Sequence, residues 1–204
     1  MQSTLEDKKA LYFMCAKGLE LFNKKGYQGT RISDICTTLS ISKNAFTHYF
    51  VSKEDFFIRI AQNLILHNTF ELLIEPISQN QNPFPLVLNK IGLELEKAVN
   101  STDDQGFLLG NFINEFNREH PRINKCLNDI LKIWEVNLTA LLRKGQLDNY
   151  VSTNVDCEGV ARYIISSYLG IRMQMVNGDS RRLADQYMDQ LRYYFYAISK
   201  TLMA

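Results

Sequence analysis

Four polar side chains that can hydrogen-bond to DNA bases or phosphates lie close together between residues 43 and 48. They are Lys43, Asn44, Thr47 and His48. At helical spacing they share the outward side of a short segment whose other side carries Ala45, Phe46 and Phe50. A helix divided in this way can be anchored by its apolar side while its polar side enters the DNA major groove. The pattern predicts a recognition helix.

The elements that position this segment are also short helices. The turn Ser40-Ile41-Ser42 separates it from a preceding short helix, for which Thr30 is the predicted N-cap. Ser42 is the predicted N-cap of the recognition helix, which should run from Lys43 to Phe50. A longer helix comes first and is expected to end at Gly26. Two short helices joined by a tight turn and framed by longer ones predict a helix-turn-helix.

The rest of the sequence also reads with helical period. Ser52 is expected to cap a long connecting helix from Lys53 to about Ile74, which Pro76 stops. Further helices are predicted at about 85–100, 104–118, 121–147, 156–177 and 180–203. The predicted fold is therefore all-α. A three-helix helix-turn-helix domain, residues 1–52, is joined by the long helix to a helical ligand-binding and dimerisation domain, residues 53–204.

Composition excludes several classes of protein. With 204 residues, of which 46% are hydrophobic and 22% charged, the chain is expected to be folded and not disordered. Its four cysteines and three histidines are scattered, which predicts reduced thiols and no metal site. The sequence has no phosphate-binding glycine loop, nucleophile elbow or paired carboxylates, so we expect no catalytic residues, no cofactor and no enzyme activity. Without an apolar run of membrane length, a cytoplasmic protein is predicted.

Charge is distributed unevenly along the chain. The net charge is only +1, yet residues 1–60 contain nine Lys and Arg against six Asp and Glu. The remaining residues contain 14 basic and 16 acidic side chains. The N-terminal part is therefore the one expected to face a polyanion.

Residues 16–57 contain a characteristic series of residues, which are Phe22, Gly26-Tyr27, Thr30, Ile35, Ser42-Lys43, the cluster Phe46 to Phe50, and Lys53-Glu54. In this series the segment resembles the DNA-binding domain of the TetR family of transcriptional repressors. The chain departs from the family pattern at Ser40, where the turn glycine is common, and at Thr47-His48, where an aromatic pair typically contacts phosphate.

The recognition helix and the resemblance together indicate a set of DNA-contacting residues. Thr30 is first a helix cap, with a phosphate contact as an additional hypothesis. Tyr49 has two interpretations, packing or phosphate contact. Lys53 is expected to reach the DNA backbone as a point charge. The full predicted set is Thr30, Arg31, Ser33, Ser42, Lys43, Asn44, Thr47, His48, Tyr49 and Lys53.

The C-terminal part has a weaker resemblance to the branch of the family that includes electrophile-sensing repressors. It is carried by GFLLGNFINEFNREHP and IWEVNLTALLRKGQLDN. Members of that branch often have a cysteine directly after the glycine that matches Gly106, and this chain has Phe107 there. A thiol switch at this site is therefore not predicted, and Cys126 is interpreted as a buried structural thiol.

The resemblance also implies a homodimer, a double-stranded DNA operator and a small-molecule effector. The last two helices are rich in Tyr and Met, which favours a four-helix contact between two copies. Two recognition helices about 34 Å apart would read a near-palindromic operator, from which a ligand releases the repressor.

A mostly apolar ligand pocket is expected among the middle helices, and the alternative is that its aromatic residues are ordinary core. Its predicted residues are Phe107, Asn111, Phe112, Glu115, Trp134, Tyr168 and Met173. The competing interpretation is a helical adaptor that has lost DNA binding.

Overall fold

The computed structural model describes residues 5–71, 82–101, 106–116 and 119–200. Over these ranges the chain is helical and forms no β-strand, so the all-α prediction is confirmed. A π-helical turn, Ala61–Ile65, joins α4 to α5. The helices are α1 (Leu5–Lys25), α2 (Ile32–Leu39), α3 (Lys43–Tyr49), α4 (Lys53–Ile60), α5 (Leu66–Thr69), α6 (Pro83–Asn100), α7 (Leu108–Glu115), α8 (Pro121–Leu147), α9 (Cys157–Met175) and α10 (Ser180–Ile198).

Most predicted boundaries agree with the observed helices, and α8 has the predicted bounds. The predicted helix 104–118 is shorter, since α7 occupies Leu108–Glu115. Residues 102–105 and 117–118 lie outside the described residues, as do the predicted end of the connecting helix near Ile74 and its stop at Pro76.

The chain forms two compact units. The N-terminal unit comprises Met1–Asn68 and Asn111–Asp129, and the C-terminal unit comprises Thr69–Gly110 and Ile130–Ala204. The N-terminal unit therefore extends beyond the predicted boundary at residue 52 and includes α4 and parts of α7 and α8. The assignment of DNA binding to the N-terminal domain and of ligand binding and dimerisation to the C-terminal domain stays a prediction.

An aromatic cluster forms the core of the N-terminal unit. Phe22 of α1 lies 6.0 Å from Phe56 and 5.4 Å from Phe57, both on α4. Such ring pairs contribute about 0.5–1.5 kcal/mol beyond the area that they bury. Gly18 allows this close approach, because a Cβ atom there would lie 2.3 Å from Cζ of Phe56. The helix-turn-helix therefore belongs to a unit whose core is packed with aromatic rings.

The core of the C-terminal unit is built by α6, α9, α10 and the second half of α8. Phe84 of α6 stacks on Phe195 of α10 with ring centres 4.8 Å apart. Phe195 is therefore a core residue, with 2% of its surface exposed. The buried side of α9 includes Val160, Ile164, Tyr168 and Met175.

Candidate DNA interface

The recognition helix α3 begins and is anchored as its sequence predicts. The hydroxyl oxygen of Ser42 accepts a hydrogen bond from the backbone N–H of Ala45 at 3.1 Å, which caps the helix. Phe46 and Phe50 are buried, with 0% and 1% of their surface exposed. Their rings lie 5.3 Å apart and both pack on Phe56. These contacts fix the orientation of α3.

The opposite side of α3 is exposed to solvent. Lys43, Asn44, Thr47 and His48 are all exposed, so the predicted outward face is confirmed. The Thr47 hydroxyl donates to the carbonyl oxygen of Asn44 at 3.0 Å. A cation, an amide, a hydroxyl and an imidazole thus lie on one helix face, and each can bond to a base edge or a phosphate.

Tyr49 ends α3 in a partly exposed position. Its side chain is 39% exposed, and its ring lies 5.4 Å from that of His48 and 6.2 Å from that of Phe50. It therefore packs at the edge of the core while part of its ring faces solvent. Both interpretations of Tyr49, packing and phosphate contact, are compatible with this position.

The turn before α3 keeps a glycine-like geometry although it contains Ser40. This residue has φ 54° and ψ 40°, in the left-handed region that glycine adopts most easily. The backbone N–H of Ser40 donates to Thr37 at 3.2 Å, and that of Ile41 donates to Cys36 at 3.0 Å. The departure from the family pattern at Ser40 therefore leaves the turn intact.

The start of α2 differs from the prediction that Thr30 is its N-cap. The cap position is Arg31, whose backbone N–H donates to Oδ2 of Asp34 at 2.8 Å. Thr30 is fully buried, and its hydroxyl donates to the carbonyl oxygen of Gly26 at 2.7 Å. The hydroxyl serves the turn and not the helix end, so the prediction was wrong. Arg31 and Ser33 are exposed at the beginning of α2.

At the beginning of α2, the carboxylate of Asp34 interacts with a backbone N–H group and with a nearby lysine. The backbone N–H of Arg31 and the nearby Lys25 hold the pKa of this carboxyl below its usual value. Nζ of Lys25 lies 3.5 Å from Oδ1 of Asp34. The carboxylate thereby fixes the first turn of α2, and Arg31 is exposed to solvent.

Lys53 points inward, whereas the sequence predicted that it reaches the DNA backbone. Its ammonium donates to the carbonyl oxygens of Tyr27 and Thr30, both at 2.9 Å. It also lies 3.9 Å from the centre of the Tyr27 ring. Burial lowers the pKa of Lys53, and the charge of Glu115 acts in the opposite direction. Lys53 is therefore a structural cation that holds the turn between α1 and α2.

Contacts from residues 111–129 to this turn were not predicted from the sequence. Oε1 of Glu115 accepts hydrogen bonds from the backbone N–H groups of Tyr27 and Gln28 at 2.7 and 3.2 Å. Nε2 of His120 lies 3.0 Å from the side-chain nitrogen of Gln28. Arg122 and Glu54 form an ion pair at 3.1 Å. These partners are 68 to 92 residues apart in the chain, so no local pattern could indicate them.

The structure divides the predicted ligand residues between the two units. In the C-terminal unit, the ring of Phe107 lies 6.1 Å from Trp134 and 5.4 Å from Tyr168, and these last two are 5.8 Å apart. This group of three rings is called the aromatic triad below. Met173 is 61% exposed on the outer side of α9, because it lies on the face opposite Met175. It therefore lies apart from the triad.

The other three predicted ligand residues belong to the N-terminal unit. Phe112 is buried, and its ring lies 4.9 Å from that of Phe57. The carboxylate of Glu115 accepts hydrogen bonds from the turn described above. Asn111 is half-buried and lies one helical turn before Glu115. Sequence spacing places Asn111 and Glu115 on one face of α7 but does not indicate which unit they contact.

A shallow groove of about 610 Å³ lies in the C-terminal unit along α8. Its apolar lining includes Val136, Ala140 and Leu147, and Glu158 of α9 also contributes. None of the predicted ligand residues lines it.

All four cysteines are free thiols. Burial raises the pKa of Cys15 to about 11 and also raises the pKa values of Cys126 and Cys157. Cys126 is half-buried on α8 and not fully buried as its interpretation assumed. A raised pKa keeps these thiols protonated, which suits structural side chains better than reactive ones.

The described ranges contain neither a metal-binding cluster nor a membrane-spanning helix. There, no group of three or more His, Cys, Asp or Glu side chains is placed to hold a metal ion. Across the same ranges, every helix is too short or too polar to cross a membrane.

Similarity to known proteins agrees with this geometry. The sequence model for bacterial regulatory proteins of the tetR family matches residues 16–60. The chain is 25% identical over 179 residues to the HTH-type transcriptional repressor DhaR of Mycobacterium sp. (strain GP1), covering 84% of this chain and 85% of that protein. Its fold is similar to that of a TetR transcriptional regulator from Chloroflexus aurantiacus J-10-FL, with TM-score 0.82 and 18% identity over 96% of this chain and 98% of that one. The reduced form of E. coli NemR gives a TM-score of 0.77 at 18% identity, over 91% and 96% of the two chains. With α3 exposed as a recognition helix, residues 16–60 form a DNA-binding domain of the tetR family, and the chain is a DNA-binding transcriptional regulator.

Proposed function

We propose that the protein is a cytoplasmic, homodimeric repressor that binds a near-palindromic operator and is released by a small-molecule ligand. The observation that carries the proposal is the division of α3 into a buried aromatic side and an exposed polar side. The relative DhaR is named as a repressor, which supports repression over activation.

The DNA contacts are assigned by position on the two short helices. Lys43 and Asn44, in the first turn of α3, are best placed to reach base edges, and Thr47 and His48 follow one turn later. Exposed groups at the beginning of α2, above all the Arg31 guanidinium, would contact phosphates. Phosphate contacts fix the register of the protein, and base contacts give its specificity.

The homodimer is proposed to form through the outer faces of α9 and α10. Three tyrosines there are strongly exposed: Tyr163 at 52%, Tyr193 at 69% and Tyr196 at 63%. On α9, a Cβ atom at Gly170 would meet nothing within 4 Å, so the helix surface is open to close approach. Exposed tyrosines together with an open small residue are typical of protein interfaces. A two-fold axis there would present two α3 helices to successive major grooves about 34 Å apart.

The effector is proposed to be a small, mostly apolar molecule bound at the aromatic triad. Trp134 and Tyr168 are almost fully buried, and with Phe107 they offer edges and faces to a planar or aliphatic group. Such a ligand would bind better to a conformer in which the two α3 helices of the dimer are not spaced for successive major grooves. Its preference for that conformer over the DNA-binding one would weaken operator binding by about 1–3 kcal/mol.

Operator binding can be tested by fluorescence anisotropy with the DNA upstream of the protein's own gene, titrated at several salt concentrations. The proposal expects binding that weakens steeply as salt is raised, because phosphate contacts release counterions. Lys43→Ala should weaken binding by about 1–3 kcal/mol if Lys43 reads a base, and Arg31→Ala should reduce the salt slope by about one.

Lys97→Ala is the matched control, since Lys97 is an exposed lysine on α6 in the C-terminal unit. It should leave affinity and salt slope unchanged. Absence of salt-dependent binding by the wild-type protein would contradict the repressor and favour the helical adaptor. An unchanged affinity of Lys43→Ala would remove Lys43 from the interface.

A further inference from the structure

The turn that leads from α1 into α2, Gly26–Thr30, is held by side chains on both its amide and carbonyl groups. Oε1 of Glu115 accepts hydrogen bonds from the N–H groups of Tyr27 and Gln28. The Lys53 ammonium donates to the carbonyl oxygens of Tyr27 and Thr30. Hydrogen bonds to charged groups are roughly twice as strong as neutral ones. The turn that positions α2, and through α2 the recognition helix, therefore depends on two charged side chains.

Glu115 approaches this turn closely. Gly26 has φ 70°, and a Cβ atom at Gly26 would lie 3.0 Å from Oε1 of Glu115. The Tyr27 ring also packs 4.7 Å from Phe116 and 5.0 Å from His120. The end of α7 and the residues after it are thus attached to the turn by hydrogen bonds and by ring contacts.

The beginning of α7 has its contacts in the C-terminal unit. Phe107, directly before the helix, is part of the aromatic triad. A Cβ atom at Gly110 would lie 3.1 Å from Cδ2 of Leu169, which is on α9. From Asn111 onward the helix belongs to the N-terminal unit. Since α7 is one continuous helix of eight residues, a displacement of its beginning is transmitted along its axis to Glu115.

We propose that Glu115 is a positioning residue for DNA binding: it couples the position of α7 to the Gly26–Thr30 turn and so to operator affinity. The proposal rests on the proposed function, for which it names the residue that carries the effect of the ligand. Glu115 touches neither DNA nor effector in this role. It acts through the backbone amides of Tyr27 and Gln28, which donate to its carboxylate oxygen.

The first test measures the turn itself, without DNA or ligand. Amide hydrogen exchange at Tyr27 and Gln28 is followed by NMR in the full-length protein for Glu115→Ala, Glu115→Gln and Glu119→Ala. Glu119 is a matched control, because it is an exposed carboxylate four residues further along the same segment. Glu115→Ala should speed exchange at both amides about tenfold or more, while Glu115→Gln, which keeps an acceptor oxygen, should retain most of the protection. Equal protection in Glu115→Ala and wild type would overturn the proposal.

The second test asks whether displacement of α7 reaches the DNA through Glu115. We expect Gly110→Ala to displace the beginning of α7, because its Cβ atom would lie 3.1 Å from Cδ2 of Leu169. In the wild-type background it should change operator affinity about threefold or more, and in the Glu115→Ala background this factor should fall close to one. The same factor in both backgrounds, including no effect in either, would overturn the coupling.

The two proposals fail in different ways. If the wild-type protein does not bind its upstream DNA, the proposed function fails, while the amide exchange still decides whether Glu115 holds the turn. If the wild type binds and Glu115→Ala binds equally well, only the coupling fails. Glu115→Gln should bind the operator within about threefold of wild type, because it keeps an acceptor oxygen. This result would show that Glu115→Ala acts through the loss of that oxygen and not through general destabilisation of the fold.

Discussion

The ammonium nitrogen of Lys53 lies 3.9 Å from the centre of the Tyr27 ring. In this position it also donates to the carbonyl oxygens of Tyr27 and Thr30. A cation over an aromatic face and two charge-assisted hydrogen bonds act on the same five-residue turn. Lys53, the first residue of α4, therefore stabilises the turn that precedes α2, the first helix of the helix-turn-helix.

Replacement of Lys53 should destabilise the fold. Lys53→Met keeps the aliphatic stem but removes the ammonium, leaving the two carbonyl oxygens without this donor. We expect the free energy of unfolding to fall by about 1–3 kcal/mol in urea titrations. Lys17→Met is the control, because Lys17 is a partly exposed lysine on α1 whose ammonium pairs with Glu20 at 2.8 Å. Equal stabilities of the two variants would show that the Lys53 contacts contribute nothing.

The turn residue Ser40 should be improved by glycine. Its left-handed φ of 54° is costly for a side chain with a Cβ atom. Ser40→Gly should therefore raise the free energy of unfolding by about 0.5–1 kcal/mol, measured by thermal or urea unfolding. Ser33→Gly, at the second residue of α2, should lower it by a similar amount, since glycine has a lower helix propensity than serine. A loss of stability in both variants would argue against strain at Ser40.

Acid should weaken a link between α6 and α10 in the C-terminal unit. The Arg181 guanidinium donates to both oxygens of Glu96 at 2.6 and 2.8 Å, and Asn100 donates at 2.9 Å. These contacts, that of Arg181 first, lower the pKa of Glu96 to about 2. A carboxyl with a depressed pKa contributes stability that is fully present above its ordinary pKa of 4.5 and is lost as pH falls toward 2.

The corresponding experiment compares wild type with Glu96→Gln between pH 5 and pH 2. The wild-type protein should be the more stable at pH 5, and the difference should shrink steadily toward pH 2. Glu119→Gln controls for the loss of one exposed carboxylate. A difference that stays constant over this range would mean that the Arg181 contact does not act through the charge of Glu96.

The proposed dimer face makes a separate prediction. Tyr193 is 69% exposed on α10, so Tyr193→Asp should not disturb the core of one subunit. It should raise the dimer dissociation constant at least about tenfold, because a carboxylate would be desolvated at the interface. Sedimentation velocity at micromolar concentration measures this. Tyr12→Asp, at a 58% exposed tyrosine on α1, should leave the association state as in wild type.

Local sequence patterns were sufficient for the recognition helix. Ser42 before Lys43 is an N-cap signal that depends on residues within one turn, and the buried Phe46 and Phe50 follow helical spacing. The bounds of α8 were predicted for the same reason, since Pro121 marks its first turn. Short-range chemistry therefore gave both the fold class and the exposed face of α3.

Long-range contacts explain the predictions that were wrong or incomplete. A lysine at the beginning of a helix is usually solvated, and nothing near Lys53 in sequence indicates the carbonyl oxygens of Tyr27 and Thr30, 26 and 23 residues earlier. Glu115 resembled a pocket residue because it follows Asn111 by four positions on α7. Its partners lie 87 and 88 residues earlier, where spacing carries no information.

The π-helical turn Ala61–Ile65 between α4 and α5 has a consequence for comparisons along the family. A turn closed by i→i+5 bonds contains one more residue than an α-helical turn. Side chains after Ile65 are therefore rotated by about 100° from the direction that uninterrupted α-helical spacing would give. An alignment with a relative whose helix is regular here should accordingly open a one-residue gap between positions 61 and 65, and residues paired without that gap would face different sides of the helix.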